Sequence, residues 1–331
     1  MVKAIRIHEH GGPDVLRWED VDIGEPGEGE IRVKNTAIGV NFVDVYMRRG
    51  VFRLLPSLPF TLGVESVGVV TAVGPGAASG VRVGDAVACP MAMGGAYAEE
   101  RIVPAAAAVP VPDGVDHATA AAVLVKALTA RVLVREAFRV EAGHAVLVHA
   151  AAGGVGSLVC QWARALGATV LGTISGEAKA AHASRSGCHH VFVYKAGEEE
   201  ALVGKVKAVA TGAGVNVVYD GVGRDTWRAS LACLAPRGCV VLFGEASGSP
   251  EPVELRELKA RSLSVACPTL ASYVATRESL VEAAGEVWEK VASGALRAEA
   301  GHVYPLAEAA RAHADLEGRR TAGSVVLVPS P

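Results

Sequence analysis

Residues 145–157 read Ala145-Val146-Leu147-Val148-His149-Ala150-Ala151-Ala152-Gly153-Gly154-Val155-Gly156-Ser157, an apolar run that breaks into glycines. The run Ala145 to Ala150 has the length and β-branched content of a buried strand, and Ser157 to Leu166 carries helical spacing. Gly153, Gly154 and Gly156 let the backbone approach a large anion. The helix N-terminus beyond them offers free N–H groups and a positive partial charge. A strand, a glycine-rich turn and a helix in this order form the setting in which a dinucleotide pyrophosphate binds. The first position of the usual G-x-G-x-x-G is Ala151 here, so the flanking elements carry the reading as much as the glycines do.

Strands and helices keep alternating beyond this loop. Strands are expected at Thr169 to Thr173, His190 to Val193, Val215 to Asp220 and Cys239 to Gly244, with helices at Glu177 to Ser186, Glu198 to Thr211 and Thr226 to Leu234. Such alternation implies a doubly wound parallel sheet. The first third differs: short β runs (Glu30 to Val33, Gly68 to Val73, Ala86 to Cys89) lie between turn residues, as in a largely antiparallel β domain. Helical pattern resumes over Asp116 to Ala137 and Thr276 to Ser293, and Gly323 to Pro329 reads as a last strand. The expected organisation is a catalytic β domain, 1–125 and 268–331, interrupted by a nucleotide domain, 126–267.

The strand after the loop chooses the dinucleotide. An NAD site places Asp or Glu at its end to accept from the ribose 2′-OH. Here the stretch is Gly172-Thr173-Ile174-Ser175-Gly176, without a carboxylate. Ser175 can donate to a 2′-phosphate, and Lys179 at the next helix start can add charge. The expected cofactor is NADPH.

Composition narrows the partners. The 331 residues suit two domains, and 32 basic against 35 acidic residues give a net charge of -3 with no basic stripe, which disfavours nucleic acid. The six cysteines are scattered without a C-x-x-C pair, as in a reducing compartment, and a cytoplasmic location is expected. The charge-free stretch Ala142 to Ala163 is interrupted by glycines, so no membrane span is expected.

Several segments, in order and spacing over essentially the whole chain, resemble the zeta-crystallin-like quinone oxidoreductases of the medium-chain dehydrogenase/reductase superfamily. They are His8 to Leu16, Gly39 to Gly50, Lys126 to Ala130, His149 to Gly156, Val217 to Gly223 and Leu316 to Gly323. The resemblance implies an α/β protein with a GroES-like catalytic domain and a Rossmann cofactor domain. It implies that Asn41, Asp44 and Tyr46 line the nicotinamide and substrate side of an interdomain cleft, and that Thr129 reaches the nicotinamide end. Gly153, Gly154, Val155 and Gly156 would hold the pyrophosphate. Ser175, Lys179 and Tyr194 would surround the 2′-phosphate, and Phe243, Gly244 and Ser247 would cover the cofactor. Phe52 stands where relatives often have tyrosine, and Cys267 replaces an arginine that relatives often use against the cofactor. A homodimer is expected.

Metal-dependent relatives hold zinc through Cys, His and carboxylate ligands. In Leu62-Gly63-Val64-Glu65-Ser66-Val67-Gly68, Val64 occupies the histidine position, and Asn41 stands at that of a cysteine. No metal is expected. The substrate is then one already willing to accept hydride, a quinone or an α,β-unsaturated carbonyl. NADPH-dependent quinone reduction is the first expectation and enoyl or alkenal reduction the second. A crystallin-like or RNA-associated NADPH-binding protein is the third.

Overall fold

The computed structural model describes residues 1–51, 57–77, 80–91, 94–210, 212–297 and 300–329. Phe52 therefore lies outside the described residues. The chain divides into two compact units, Met1–Val125 with Val274–Trp288 and Ala298–Pro331, and Lys126–Tyr273 with Glu289–Arg297. The second unit thus runs past residue 267. Its outlying piece is held by the Lys290 ammonium over the Trp162 ring, 5.0 Å from its centre, and by paired hydrogen bonds between Gln161 and the Arg297 backbone.

In the first unit a seven-stranded sheet runs in the order Ala300–Pro305, Ser324–Val328, Glu30–Val40, Glu65–Val73, Ala86–Cys89, Val109–Pro110, with Glu100–Pro104 also paired to Glu30–Val40. Its pairings are antiparallel, apart from the parallel one between Ala300–Pro305 and Ser324–Val328. A three-stranded antiparallel sheet, Arg17–Val21, Val2–Ile7, Phe60–Thr61, completes it. Ile5, Ile7, Ile38, Leu62, Leu306 and Leu327 share one buried core. Each such side chain contributes about 1.5–3 kcal/mol on burial. A slip of one residue would turn the strand residues Ile5, Ile7, Ile38 and Leu327 to the opposite face, so this core sets the register.

Helix Phe42–Arg49 was not apparent from periodicity. It is specified at its ends: Asn41 and Asp44 form a capping box, and Gly50 closes it in the left-handed conformation at φ 71°.

The second unit holds a six-stranded sheet in the order His190–Val193, Thr169–Ile174, Ala145–Val148, Val215–Asp220, Leu234–Leu242, Ser264–Ala266, every pairing parallel. This is the doubly wound arrangement expected from the alternation. Leu147, Leu171, Val218 and Val240 from its central strands lie in one core with Leu202, Val206 and Trp227 from the helices. The short helix Leu255–Lys259 and edge strand Ser264–Ala266 had no clear signal in the sequence.

Residues 142–163, the charge-free stretch, form a strand and the start of a helix. The helical stretch His117–Ala137 is long and apolar enough to cross a membrane, but 72% of its most apolar window is buried in protein, as in a core helix.

Candidate active site

Strand Ala145–Val148 ends two residues earlier than its apolar run, and helix Gly154–Ala165 begins inside the glycines. Ala150 takes a positive φ of 52°, and the amide of Gly153 donates to the Ala150 carbonyl at 2.8 Å, closing the turn. Gly156 is required by contact. A Cβ there would lie 2.3 Å from the Ala150 oxygen, so only glycine lets the first helical turn sit against the strand end. Gly153, Gly154 and Val155 remain partly exposed at the helix N-terminus, where the first amides have no intrahelical acceptor. The cradle fits a pyrophosphate.

The next strand, Thr169–Ile174, delivers Ser175 to the surface just past its end. A single 3-10 turn, Glu177–Lys179, brings up a half-buried Lys179. Tyr194 follows the neighbouring strand His190–Val193, and its amide donates to the Ile174 carbonyl at 3.0 Å. The Tyr194 hydroxyl donates to the Asp225 carbonyl at 2.9 Å and lies 3.3 Å from Glu199 Oε1. Burial and these acidic neighbours raise its pKa, which keeps the phenol protonated. The structure therefore places Ser175, Lys179 and Tyr194 at the carboxyl ends of adjacent strands.

Two more loops leave the carboxyl edge of the same sheet. After Val215–Asp220, the buried Asp220 carboxylate accepts from the amides of Val222 (2.8 Å) and Gly223 (3.0 Å) and from the hydroxyls of Thr226 (2.8 Å) and Ser230 (2.6 Å). After Leu234–Leu242, the Phe243 amide donates to the Asp220 carbonyl, and Ser247 bonds the first loop twice: its hydroxyl donates to the Val222 carbonyl at 2.7 Å and accepts from the Asp225 amide at 3.0 Å. Phe243, Gly244 and Ser247 are thus stapled to the Asp220 loop. His149, fully buried, bonds Thr173 at 2.8 Å through Nδ1, while its Nε2 is buried without a hydrogen-bond partner. Burial lowers its pKa, against the opposing pull of Asp220.

In the first unit, Asn41 caps the helix carrying Asp44 and Tyr46. Its side-chain nitrogen donates to Glu65 Oε2 at 3.0 Å, and Glu65 Oε1 accepts from the Val125 amide at 2.8 Å. Asp44 is fully buried and accepts from the amides of Asn41 (2.8 Å) and Val64 (3.1 Å) and from the Tyr97 hydroxyl (3.1 Å). Tyr97 in turn lies 2.9 Å from Nε2 of His313, whose Nδ1 lies 2.9 Å from the buried Arg48 guanidinium. Arg48 also donates to both carboxylate oxygens of Glu317. A guanidinium only donates, so His313 Nδ1 must accept. Its proton then sits on Nε2 facing Tyr97, whose own proton points to Asp44. Burial first and Arg48 second hold the His313 pKa down at about 3, and burial beside Asp44 raises that of Tyr97. The chain of donors ends on the Asp44 carboxylate, which also accepts from the Asn41 backbone amide. Tyr46 is half-buried with its ring 6.0 Å from that of Phe42. In the second unit, Thr129 is half-buried on helix His117–Arg131.

The sequence reading did not assign roles to Arg48, Glu65, Tyr97, Asp220 and His313. Asp220 and Glu65 lay inside quoted motifs, and Asn41-x-x-Asp44 has capping-box spacing. His313 had no local signal, because its partners are 216 and 265 residues away. At the positions where metal-dependent relatives have ligands, Val64 is a buried apolar side chain and the Asn41 amide is engaged by Glu65. Among the described residues no group of three His, Cys, Asp or Glu is arranged to hold a metal.

Comparisons with known proteins agree with this architecture. Residues 27–113 match the alcohol dehydrogenase GroES-like domain, and residues 154–286 match the zinc-binding dehydrogenase domain. The chain is 44% identical to the quinone oxidoreductase of Salmonella typhimurium, over 99% of this chain and 100% of that one. It is 41% identical to the 2-haloacrylate reductase of a Burkholderia species, over 99% of both. The crystal structure of Escherichia coli quinone oxidoreductase complexed with NADPH superposes with a TM-score of 0.94 at 42% identity, covering 99% of this chain and 100% of that one. With the Gly153–Gly156 cradle, the six-stranded parallel sheet and these full-length similarities, the chain belongs to the quinone oxidoreductase family of the medium-chain dehydrogenase/reductase superfamily.

Proposed function

We propose that this protein is an NADPH-dependent quinone reductase that needs no metal. The observation that carries the cofactor is the carboxyl edge of the parallel sheet. Gly156 allows a helix N-terminus to face a pyrophosphate there, and the following strand ends in Ser175 with Lys179 beyond, where an NAD site would have a carboxylate. The loop Gly153 to Gly156 would hold the pyrophosphate, Ser175 and Lys179 the 2′-phosphate, and Tyr194 would pack beside them with its hydroxyl already donated. Phe243, Gly244 and Ser247 would cover the cofactor on a loop kept rigid by Asp220. NADPH, when bound, supplies a hydride.

On the substrate side, Asn41, Asp44, Tyr46, Thr129 and Phe52 remain the residues we assign to the nicotinamide and the quinone. Asp44 acts at one remove. Its carboxylate is buried and accepts from two backbone amides and the Tyr97 hydroxyl, so it acts by holding the Asn41 backbone in place. Without a Lewis acid, the acceptor must delocalise its own negative charge, which a quinone does and a simple ketone does not.

The similarity to 2-haloacrylate reductase supports a second reading, reduction of an activated carbon–carbon double bond. Both are tested by steady-state rates with NADPH against 9,10-phenanthrenequinone, benzoquinone, enones and 2-chloroacrylate. Quinone turnover supports the first reading; inert quinones with an active enone or haloacrylate support the second. We further propose a homodimer, checked by light scattering.

A further inference from the structure

We propose that Cys160 and Cys188 form a reversible disulfide site, closed by a hydroperoxide, that staples the segment between them. Cys160 lies on helix Gly154–Ala165, and Cys188 follows helix Ala180–Arg185. They are 28 residues apart in sequence, and their sulfurs lie 3.4 Å apart. A disulfide bond is roughly 2.05 Å long, so the sulfurs must close by roughly 1.4 Å. The Cys188 sulfur has its place beside Cys160 because residue 172 is glycine. A Cβ at Gly172 would lie 2.6 Å from Cys188 Sγ and 2.6 Å from the Cβ of Ala151. The thiol thus occupies a slot directly behind the phosphate-binding turn.

The two thiols are not equivalent. Cys160 is completely buried, whereas Cys188 keeps 5% of its surface exposed and is the one a small oxidant can reach. Arg164, one turn beyond Cys160, extends its guanidinium to the Gly187 carbonyl at 3.4 Å. The Cys160 thiol and then the Arg164 charge lower the pKa of Cys188, while burial raises that of Cys160. Cys89, Cys233 and Cys239 are buried with raised pKa values, the opposite of an activated thiol.

The chemistry balances with hydrogen peroxide, the simplest hydroperoxide, as oxidant. The Cys188 thiolate attacks one peroxide oxygen, the O–O bond breaks, and the leaving hydroxide takes a proton to become water. The Cys160 sulfur then displaces the hydroxyl from the Cys188 sulfenic acid, giving the disulfide and a second water. Two electrons pass from the thiols to the peroxide, and an external dithiol reverses the step. The closed loop contains strand Thr169–Ile174 with Ser175 and Lys179, so oxidation restrains the segment assigned to the 2′-phosphate. That meaning for the cofactor rests on the function proposed above; the cross-link itself does not.

The test uses the full chain carrying Cys267→Ser, which removes the exposed thiol. Hydrogen peroxide should lower the mass by about 2 Da and yield one tryptic species joining the Cys160 and Cys188 peptides, reversed by dithiothreitol. Native-state trypsin cleavage at Lys179 and Arg185 should slow by about fivefold, because a closed loop opens less. Cys160→Ser or Cys188→Ser should abolish both effects. If either variant does not fold, the peptide map of the Cys267→Ser protein decides alone. Two free thiols after peroxide treatment, a Cys188 sulfinic acid without cross-link, or unchanged trypsin rates in cross-linked protein would each overturn the proposal.

Discussion

The phosphate turn and the Asn41–Asp44 cluster solve the same problem, placing a few atoms accurately, by opposite means. In the turn the work is done by backbone and by missing side chains. Gly156 matters for what it lacks, and every residue involved lies within a dozen positions of the next. In the cluster the work is done by side chains gathered from far apart: Asn41, Asp44, Glu65, Tyr97, His313 and Glu317. A short-range device fails locally when one contact is violated. A long-range one spreads its failure through the unit, because each buried polar group depends on the next.

The largest effect is expected in the cluster. Replacing Arg48 with Met removes the donor to the fully buried His313 and both of its bonds to Glu317, a partly exposed carboxylate that keeps Arg49 as a partner. Chemical denaturation should show a loss of about 3–5 kcal/mol, the cost of breaking a buried ion pair from one side. A loss below about 1 kcal/mol would remove the cluster's claim to cohesion. The corresponding break in the turn is Gly156→Ala, whose methyl would press on the Ala150 carbonyl. It should cost about 2–3 kcal/mol as overpacking and be felt as weaker NADPH binding in calorimetry.

The cluster should respond to acid, and the buried His149 of the other unit, whose pKa burial also lowers, adds to the same trend. His313 is held neutral with a pKa of about 3, below the ordinary imidazole value near 6.5. The unfolded chain therefore binds a proton that the folded chain refuses. The stability this represents is present above pH 6.5 and falls as pH drops toward 3, by about 1.4 kcal/mol per unit, or about 2 kcal/mol between pH 6.5 and 5. Unfolding midpoints measured across that window should slope accordingly, and His313→Gln should flatten the slope. The smallest effect belongs to the other unit: Lys179→Ala should weaken NADPH relative to NADH by about 1.5–3 kcal/mol, the scale of a charge-assisted hydrogen bond. Equal losses for both cofactors would take Lys179 out of the phosphate site.

The same contrast explains what was legible beforehand. The parallel sheet and its turn were readable because strand, glycines and helix are consecutive, and the apolar period changes where the chain turns. Helix Phe42–Arg49 was missed because it is short and breaks no pattern, although its caps at Asn41, Asp44 and Gly50 were in view. Arg48 could be quoted within a motif, but nothing around it tells that its guanidinium is buried against His313. Asp220 looked like one more strand terminus, and only the fold shows four donors converging on it. Tyr194 was placed correctly at the end of its strand, but its hydroxyl is committed to the Asp225 carbonyl, a bond 31 residues long in sequence.

The place of strand Ser324–Val328 bears on how the chain matures at the ribosome. It lies in the interior of the seven-stranded sheet, pairing through Val325, Val326 and Leu327 with Val40, Gly39 and Ile38 on one side and with Ala300–Pro305 on the other, while Ser324 Oγ donates to the Ala122 carbonyl. The amino-terminal strands are made first but gain this neighbour only once residues 324–328 have been made, after every segment of the nucleotide unit. Until then the long strand Glu30–Val40 keeps an open edge next to Asn41. The newborn polypeptide thus holds the residues of its phosphate turn before its Asn41 corner is finished, and a chain cut short before Ser324 would carry an adhesive flank.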